Sequence, residues 1–337
     1  MADRRLAAGL MLAIGVALLL LAWHFLPESS SALESSRWTV SEAGLLDYSV
    51  SPPQFNASPS ATGEKSLSEI QFESRGAQIA ALLRLPASAA ASENATGGGG
   101  PQAASGSEGG VEGEVDDGKD KGLPGIVLLP GAGISKEREQ GFAEKLAALG
   151  YATITLDQRN LGSVDFQADL QTFLQGAEPV EHKMVYDALA AAEILRGLPE
   201  IDPSRITYAG ESNGGRFAIT ACALDSRAKG VLAISTCGYD TKTAIARAAA
   251  AGQPADPEVV RFYVSIDPES YLDRIAPRPL VMIHSRNDTI IPYQMAEKTF
   301  SRAAEPRRMH TVNCTVHGYC PEMAQAVEEE LAAISQE

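Results

Sequence analysis

Concentrated positive charge is what this chain most plainly lacks. Its 28 Lys and Arg face 43 Asp and Glu, for a formal net charge of −15 over 337 residues. Phosphate backbones are held by clustered Lys and Arg, so a nucleic-acid partner is excluded. Much of the acid falls in one low-complexity stretch and in the C-terminal segment, where it serves solubility. Cysteine is scarce too: four residues cannot staple a chain of this length into a disulfide scaffold. The five histidines are scattered, with no His-x-x-x-His or Cys-x-x-Cys spacing. No metal site is expected, and no cofactor.

One long apolar run is present. From Leu6 to Leu26 no residue carries a formal charge, and only His24 interrupts the apolar character. A helix of that length, at ~1.5 Å per residue, crosses a bilayer core of roughly 30 Å. Arg4 and Arg5 precede the run and Glu28 and Glu34 follow it, which orients a single-pass membrane helix with the rest of the chain outside the cytoplasm. Residues 1–27 are therefore read as an uncleaved transmembrane anchor, a signal-anchor. The alternative is secretion after cleavage of a signal peptide near Ser30-Ser31-Ala32, with an unusually long apolar stretch. Residues 28–66 are rich in Ser and Pro and read as an extracytoplasmic spacer.

The remainder, 67–335, alternates between two kinds of segment. Glu69–Phe72 and Gln78–Leu85 flank Arg75-Gly76 as an antiparallel hairpin. Residues 87–122 are nearly all Ala, Ser, Gly and acid, a composition that builds no core, so a disordered insertion is expected there. Gly125–Leu129 is a continuous apolar run, the mark of a strand buried on both faces. A helix from Ser135, a strand at Tyr151–Leu156 and a helix at 180–196 follow. Further strands are expected at 206–209, 231–234, 280–284 and 309–316, with helices after Ser212, at 294–303 and at 321–335. Residues 238–276 break the alternation and read as a small helical cap. Strand and helix in turn imply an α/β fold, a mostly parallel central sheet with helices on both faces.

Ligands of such sheets sit beyond the carboxyl ends of the strands. There the chain carries Gly210-Glu211-Ser212-Asn213-Gly214-Gly215, between an apolar strand and a helical segment. Gly-x-Ser-x-Gly in that context is a nucleophile elbow. Asp288 follows the strand ending at His284, and His317 follows the last strand. A serine hydroxyl is a poor nucleophile alone; His317 would take its proton and Asp288 would orient the imidazole. Asp240 and Asp267 are the alternatives for the acid. His284 and His310 belong to strands, and His182, at a helix start, is expected on the surface. Asp157 and Arg159 are expected to tie down a loop. Cys314 and Cys320 bracket His317 and could form a disulfide in an oxidising compartment. Cys222 and Cys237 read as core residues.

The chain resembles the α/β-hydrolases, in the branch of dienelactone hydrolases and the catalytic domains of acyl-peptidases. Four motifs carry the resemblance: Asp187…Leu195…Ile201-Asp202-Pro203-Ser204-Arg205-Ile206…Gly210-x-Ser212-x-Gly214-Gly215, the Asp288 loop, His317-Gly318, and Pro130-Gly131-Ala132-Gly133. It implies the α/β-hydrolase fold, catalysis by Ser212, Asp288 and His317, and an oxyanion hole from the backbone N–H groups of Ala132 and Asn213. Pro130 stands where such proteins usually have His, and Asn160 where they often have Gly. The expected activity is hydrolysis of a small-molecule carboxylic ester or related acyl compound (a carboxylesterase-like serine hydrolase). The alternatives are an acyl-peptidase-like peptidase or a non-catalytic binding module on the same fold.

Overall fold

The computed structural model describes residues 38–87 and 122–336. The expected anchor and residues 88–121 of the expected insertion lie outside the described residues. Among the described residues no helix is long and apolar enough to cross a membrane.

Among the described residues eleven strands form in chain order: β1 (Trp38–Val40), β2 (Leu46–Tyr48), β3 (Phe55–Pro59), β4 (Leu67–Ser74), β5 (Ala77–Arg84), β6 (Leu123–Leu129), β7 (Ala152–Leu156), β8 (Ile201–Glu211), β9 (Val231–Ile234), β10 (Leu280–Ser285) and β11 (Arg307–Val312). Eight described helices accompany them, numbered among the described residues: α1 (Gln140–Ala148), α2 (Phe166–Leu174), α3 (Val180–Gly197), α4 (Asn213–Leu224), α5 (Thr241–Ala250), α6 (Pro257–Ile266), α7 (Tyr293–Ser301) and α8 (Ala324–Gln336). Nine of the strands make one sheet in the order β11-β10-β9-β8-β6-β7-β5-β4-β3. Its six strands from β11 to β7 pair in parallel, and β5, β4 and β3 continue the β7 edge antiparallel. The central strands β6, β7 and β9 are largely or wholly buried, as their unbroken apolar runs require when helices cover both faces. Two apolar clusters result, one including Val127, Ile154 and Tyr208 and the other Ile126, Leu128 and Leu232. Alternate residues of one strand thus feed opposite faces.

Two expectations are corrected here. The spacer read at 28–66 is not a spacer from Trp38 onward. β1 and β2 pair with each other, and β3 pairs with β4 in register Phe55↔Phe72 to Pro59↔Ser68. Composition concealed this because a few anchoring side chains suffice. Leu46 is 1 % exposed and its N–H donates to the Tyr271 hydroxyl at 2.9 Å. Trp38 Nε1 donates to His182 Nδ1 at 3.2 Å, and the Tyr48 hydroxyl donates to the His182 carbonyl at 2.7 Å. Pro59 is tolerated because β3 is the sheet's edge, where a missing N–H breaks no ladder. His182, expected on the surface, is accordingly buried. Its Nε2–H faces the Ser265 hydroxyl at 2.7 Å, and burial pushes its pKa down to about 3, so it is a neutral core group.

Helix α1 starts at Gln140 rather than Ser135, since the Lys136 N–H donates to Asp157 Oδ1 at 2.9 Å and holds the intervening residues in turns. Helix α2, which the alternation did not announce, is capped by Asp165, whose side chain accepts from the Ala168 N–H. Residues 238–276 fold as α5 and α6 with two short 3₁₀ turns at 268–270 and 272–274.

Candidate active site

Strand β8 delivers the chain to Glu211, and α4 begins at Asn213; Ser212 between them is the whole turn. Its backbone is at φ 52°, ψ −119°, a region that a side-chain-bearing residue occupies only under constraint. The flanking glycines show what the constraint demands. A Cβ on Gly210 would lie 2.4 Å from the Gly214 carbonyl oxygen, and one on Gly214 would lie 2.0 Å from that of Leu129. No side chain fits either gap, so the Gly-x-Ser-x-Gly spacing follows from closure of the turn against β6. The Ser212 N–H donates to the Ile234 carbonyl at 3.0 Å and its carbonyl accepts from Thr236 Oγ1 at 2.6 Å, fastening the turn to β9.

The loop after β6 lies against this turn. A Cβ on Gly131 would come within 3.4 Å of the Ser212 Cβ. Among the described residues the backbone N–H groups of Ala132 and Asn213 have no hydrogen-bond partner, and Asn213 also opens a helix, where such groups favour negative charge. Pro130 stands where similar proteins usually have a histidine, so this loop needs another support. The structure assigns that support to Gln158, whose Nε2 donates to the Pro130 carbonyl at 2.5 Å, and to the Gly133 N–H donating to the Leu161 carbonyl at 2.7 Å. Asn160, Leu161 and Gly162 all have positive φ, at 50°, 48° and 69°. That left-handed run turns the Gly162 carbonyl toward Asn213 Nδ2, which donates to it at 3.1 Å. Asp157 and Arg159 do tie down loops: Asp157 receives Lys136 Nζ at 2.8 Å, and Arg159 Nε pairs with Asp187 at 2.7 Å.

Of the three candidate acids, Asp288 stands against His317, with His317 Nδ1–H donating to Asp288 Oδ2 at 2.8 Å. Asp288 Oδ1 accepts the N–H groups of Ile290 and Ile291, both at 2.9 Å. Burial alone would raise this carboxyl, but the His317 bond and the two backbone donors outweigh it and hold the pKa below the ordinary value. Asp267 instead caps the backbone of Tyr239 and Thr241, and Asp240 pairs with Lys298 and Arg302. His284, with Nε2–H donating to the Ile291 carbonyl at 2.8 Å, is lowered by burial and stays neutral behind the Asp288 loop. His310 donates to Glu330 at 2.6 Å.

His317 Nε2 is buried and has no hydrogen-bond partner among the described residues, so no bond joins it to the Ser212 hydroxyl in this state. What holds the two loops together is Glu211, the residue before Ser212. Its Oε1 accepts the Tyr319 N–H at 3.0 Å, and a Cβ on Gly318 would lie 2.5 Å from its Oε2. Ser235 Oγ also donates to the Gly318 carbonyl at 3.3 Å. Neighbours in sequence of the serine and of the histidine are thus in direct contact, and hydrogen bonds of this kind commonly tighten only around substrate. Cys314 and Cys320 form a disulfide, with Cα atoms 6.8 Å apart, which closes the His317 loop on itself. Tyr319 within that loop stacks on Phe142 at 4.5 Å.

Behind the elbow the sequence reading missed a second acid. Burial pushes Glu139 up to about 8, aided by the field of Glu211; burial likewise lifts Glu211 to about 7, partly offset by the Tyr319 N–H. Glu139 Oε1 has no hydrogen-bond partner among the described residues. A lone acidic residue at a helix start reads as an ordinary cap, and only the fold brings it toward Glu211.

Residues 124–287, just under half of the chain, match the acetyl xylan esterase (AXE1) family. The uncharacterized protein YfhR of Escherichia coli O157:H7 is 28% identical over 131 residues, covering 39% of this chain and 44% of that protein. The chain spans about half the length of the curated relatives it matches. Among solved structures, the acetyl xylan esterase of Paenibacillus sp. R4 superposes with a TM-score of 0.59 at 19% identity, covering 83% of this chain and 88% of that one. The glucuronoyl esterase of Solibacter usitatus gives 0.56 at 15% identity, covering 90% of each. With a mostly parallel sheet, a serine at a strained strand-to-helix turn, and these likenesses in agreement, the chain has the α/β-hydrolase fold.

Proposed function

We propose that this protein is a serine hydrolase acting on carboxylic esters of small molecules. In this reading Ser212 Oγ attacks the ester carbonyl while His317 Nε2 takes its proton. Asp288 keeps the proton of the imidazole on Nδ1, leaving Nε2 basic, and stabilises the imidazolium that forms. The N–H groups of Ala132 and Asn213 receive the oxyanion; each such donor is worth ~10²–10³ in rate. The alcohol leaves with the proton from His317, and water then attacks the acyl-serine by the same route. The observation that carries the reading is Ser212 itself, at φ 52° on the N-terminus of α4, with its neighbour Glu211 hydrogen-bonded to the loop of His317. The esterase neighbours support the ester over other acyl compounds. A fluorophosphonate probe tests it. Labelling of the wild type that disappears in Ser212→Ala is the expected result, and labelling that persists in Ser212→Ala sinks the assignment.

The second part of the proposal is that the body works outside the cytoplasm, tethered by the apolar run at Leu6–Leu26. The Cys314–Cys320 disulfide supports an oxidising compartment. Release of the protein from membranes by high salt or alkaline carbonate alone would contradict the tether.

A further inference from the structure

An apolar cavity of about 370 Å³ opens between α2, α5 and α6. The helical period explains it. On α5, Ala244 and Ala248 are four residues apart and face the same way; on α6, Val259 and Tyr263 do the same. Methyl groups on one helix face leave room that longer side chains would have closed. Phe166 and Tyr239 complete the walls, in edge contact at 5.2 Å, and among the described residues no Asp, Glu, Lys, Arg or His lines the space. The Tyr239 hydroxyl is turned away to Glu181 at 3.0 Å, so the cavity meets its ring.

Side-chain contacts link the walls of the cavity to the proposed active site. Tyr239 lies under the Arg216 guanidinium at 4.4 Å, and Arg216 in turn donates to the side chain of Asn213, next to the nucleophile. Phe166 starts α2 four residues after Gly162, whose carbonyl holds Asn213 Nδ2 at 3.1 Å. Both walls therefore descend from the two segments that position Asn213. All of this lies past the carboxyl ends of the strands, as Ser212 does.

Resting on the ester-hydrolase reading, we infer that this cavity holds the acyl chain of the substrate, an uncharged aliphatic chain of about eight carbons. A volume of about 370 Å³ falls in the range of small-ligand sites, ~300–1,000 Å³. At roughly 30 Å³ per water-sized unit it takes on the order of ten non-hydrogen atoms. An acetyl group would leave it nearly empty. The absence of charge from the walls excludes a sugar acid or a peptide carboxylate as the occupant, since neither would find a partner there.

The test compares p-nitrophenyl esters from acetate to decanoate on the wild type, Ala248→Phe and Ala244→Phe. Ala244 is exposed and Ala248 half-buried, so neither substitution invades the core. On the wild type, kcat/KM is expected to rise about fourfold per methylene until the cavity is filled. Both variants are expected to lose at least tenfold on octanoate while staying within about twofold on acetate. A wild type fastest on acetate, or variants that lose equally on acetate and octanoate, overturns the inference. Binding of methyl octanoate to Ser212→Ala by calorimetry gives a readout free of turnover. Weakening of at least tenfold by Ala248→Phe in that background supports the inference, and unchanged binding overturns it. Failure of fluorophosphonate to label the wild type would instead remove the hydrolase reading and leave the binding result to stand.

Discussion

In the proposed reaction Asp288 acts by fixing which nitrogen of His317 carries the proton, and Asp288→Asn isolates that role. The Oδ1 position receives two backbone donors, from Ile290 and Ile291, both at 2.9 Å. An asparagine there must keep its oxygen facing those donors, because turning it would set an amide NH₂ against two N–H groups. Its nitrogen then takes the place of Oδ2, 2.8 Å from His317 Nδ1. Two donors cannot face each other, so the imidazole shifts its proton to Nε2, the atom that must be free to accept from Ser212. The base is lost while size and backbone bonds are kept. Wrong-tautomer substitutions of this kind lower kcat by ~10⁴, about 5 kcal/mol at ~1.36 kcal/mol per decade. The assay is steady-state ester hydrolysis beside a urea unfolding curve. We expect kcat down by 10³ to 10⁴ and stability within about 1–2 kcal/mol of wild type. A folded variant retaining more than about a tenth of wild-type kcat would refute the role of Asp288.

Glu139→Gln should stabilise the protein in a pH-dependent way. The folded state holds protons on Glu139 and Glu211 above the ordinary carboxyl value of 4.5, so stability is full below that value and falls as pH rises toward the folded values near 7 and 8. Removing one of these acids is expected to be close to neutral at pH 5 and stabilising by about 1–3 kcal/mol at pH 8, read from urea midpoints. An equal effect at both pH values would contradict the burial argument. The Cys314–Cys320 bridge closes a loop with a sequence separation of only 6, so replacing both by Ser should cost about 2 kcal/mol through the unfolded chain. Because His317 rides on that loop, kcat should fall as well, and dithiothreitol should reproduce the loss in the wild type but not in the double variant. Unchanged kcat after reduction would show that the bridge does not position His317.

What could be read from residue order is what local sterics and periodicity decide. The Gly-x-Ser-x-Gly turn closes only with glycine at 210 and 214, so the motif announces its own geometry. Runs such as Gly125–Leu129 must be central strands, because nothing else buries both faces of an extended chain. The Ser, Asp, His order follows from each lying after a strand of one parallel sheet. Other features depend on segments distant in sequence, and for these no local signal exists. Residues 38–66 look like a spacer because Leu46, Trp38 and Tyr48 find their partners at Tyr271 and His182, far along the chain. His182 became a neutral core group for the same reason. Gln158 became the prop of the Pro130 loop, and Glu139 a raised acid near Glu211, only once the fold had brought distant segments together. Short-range geometry needs no knowledge of the rest of the chain, whereas burial and pKa are properties of the company a residue keeps, and that company is settled only by the fold.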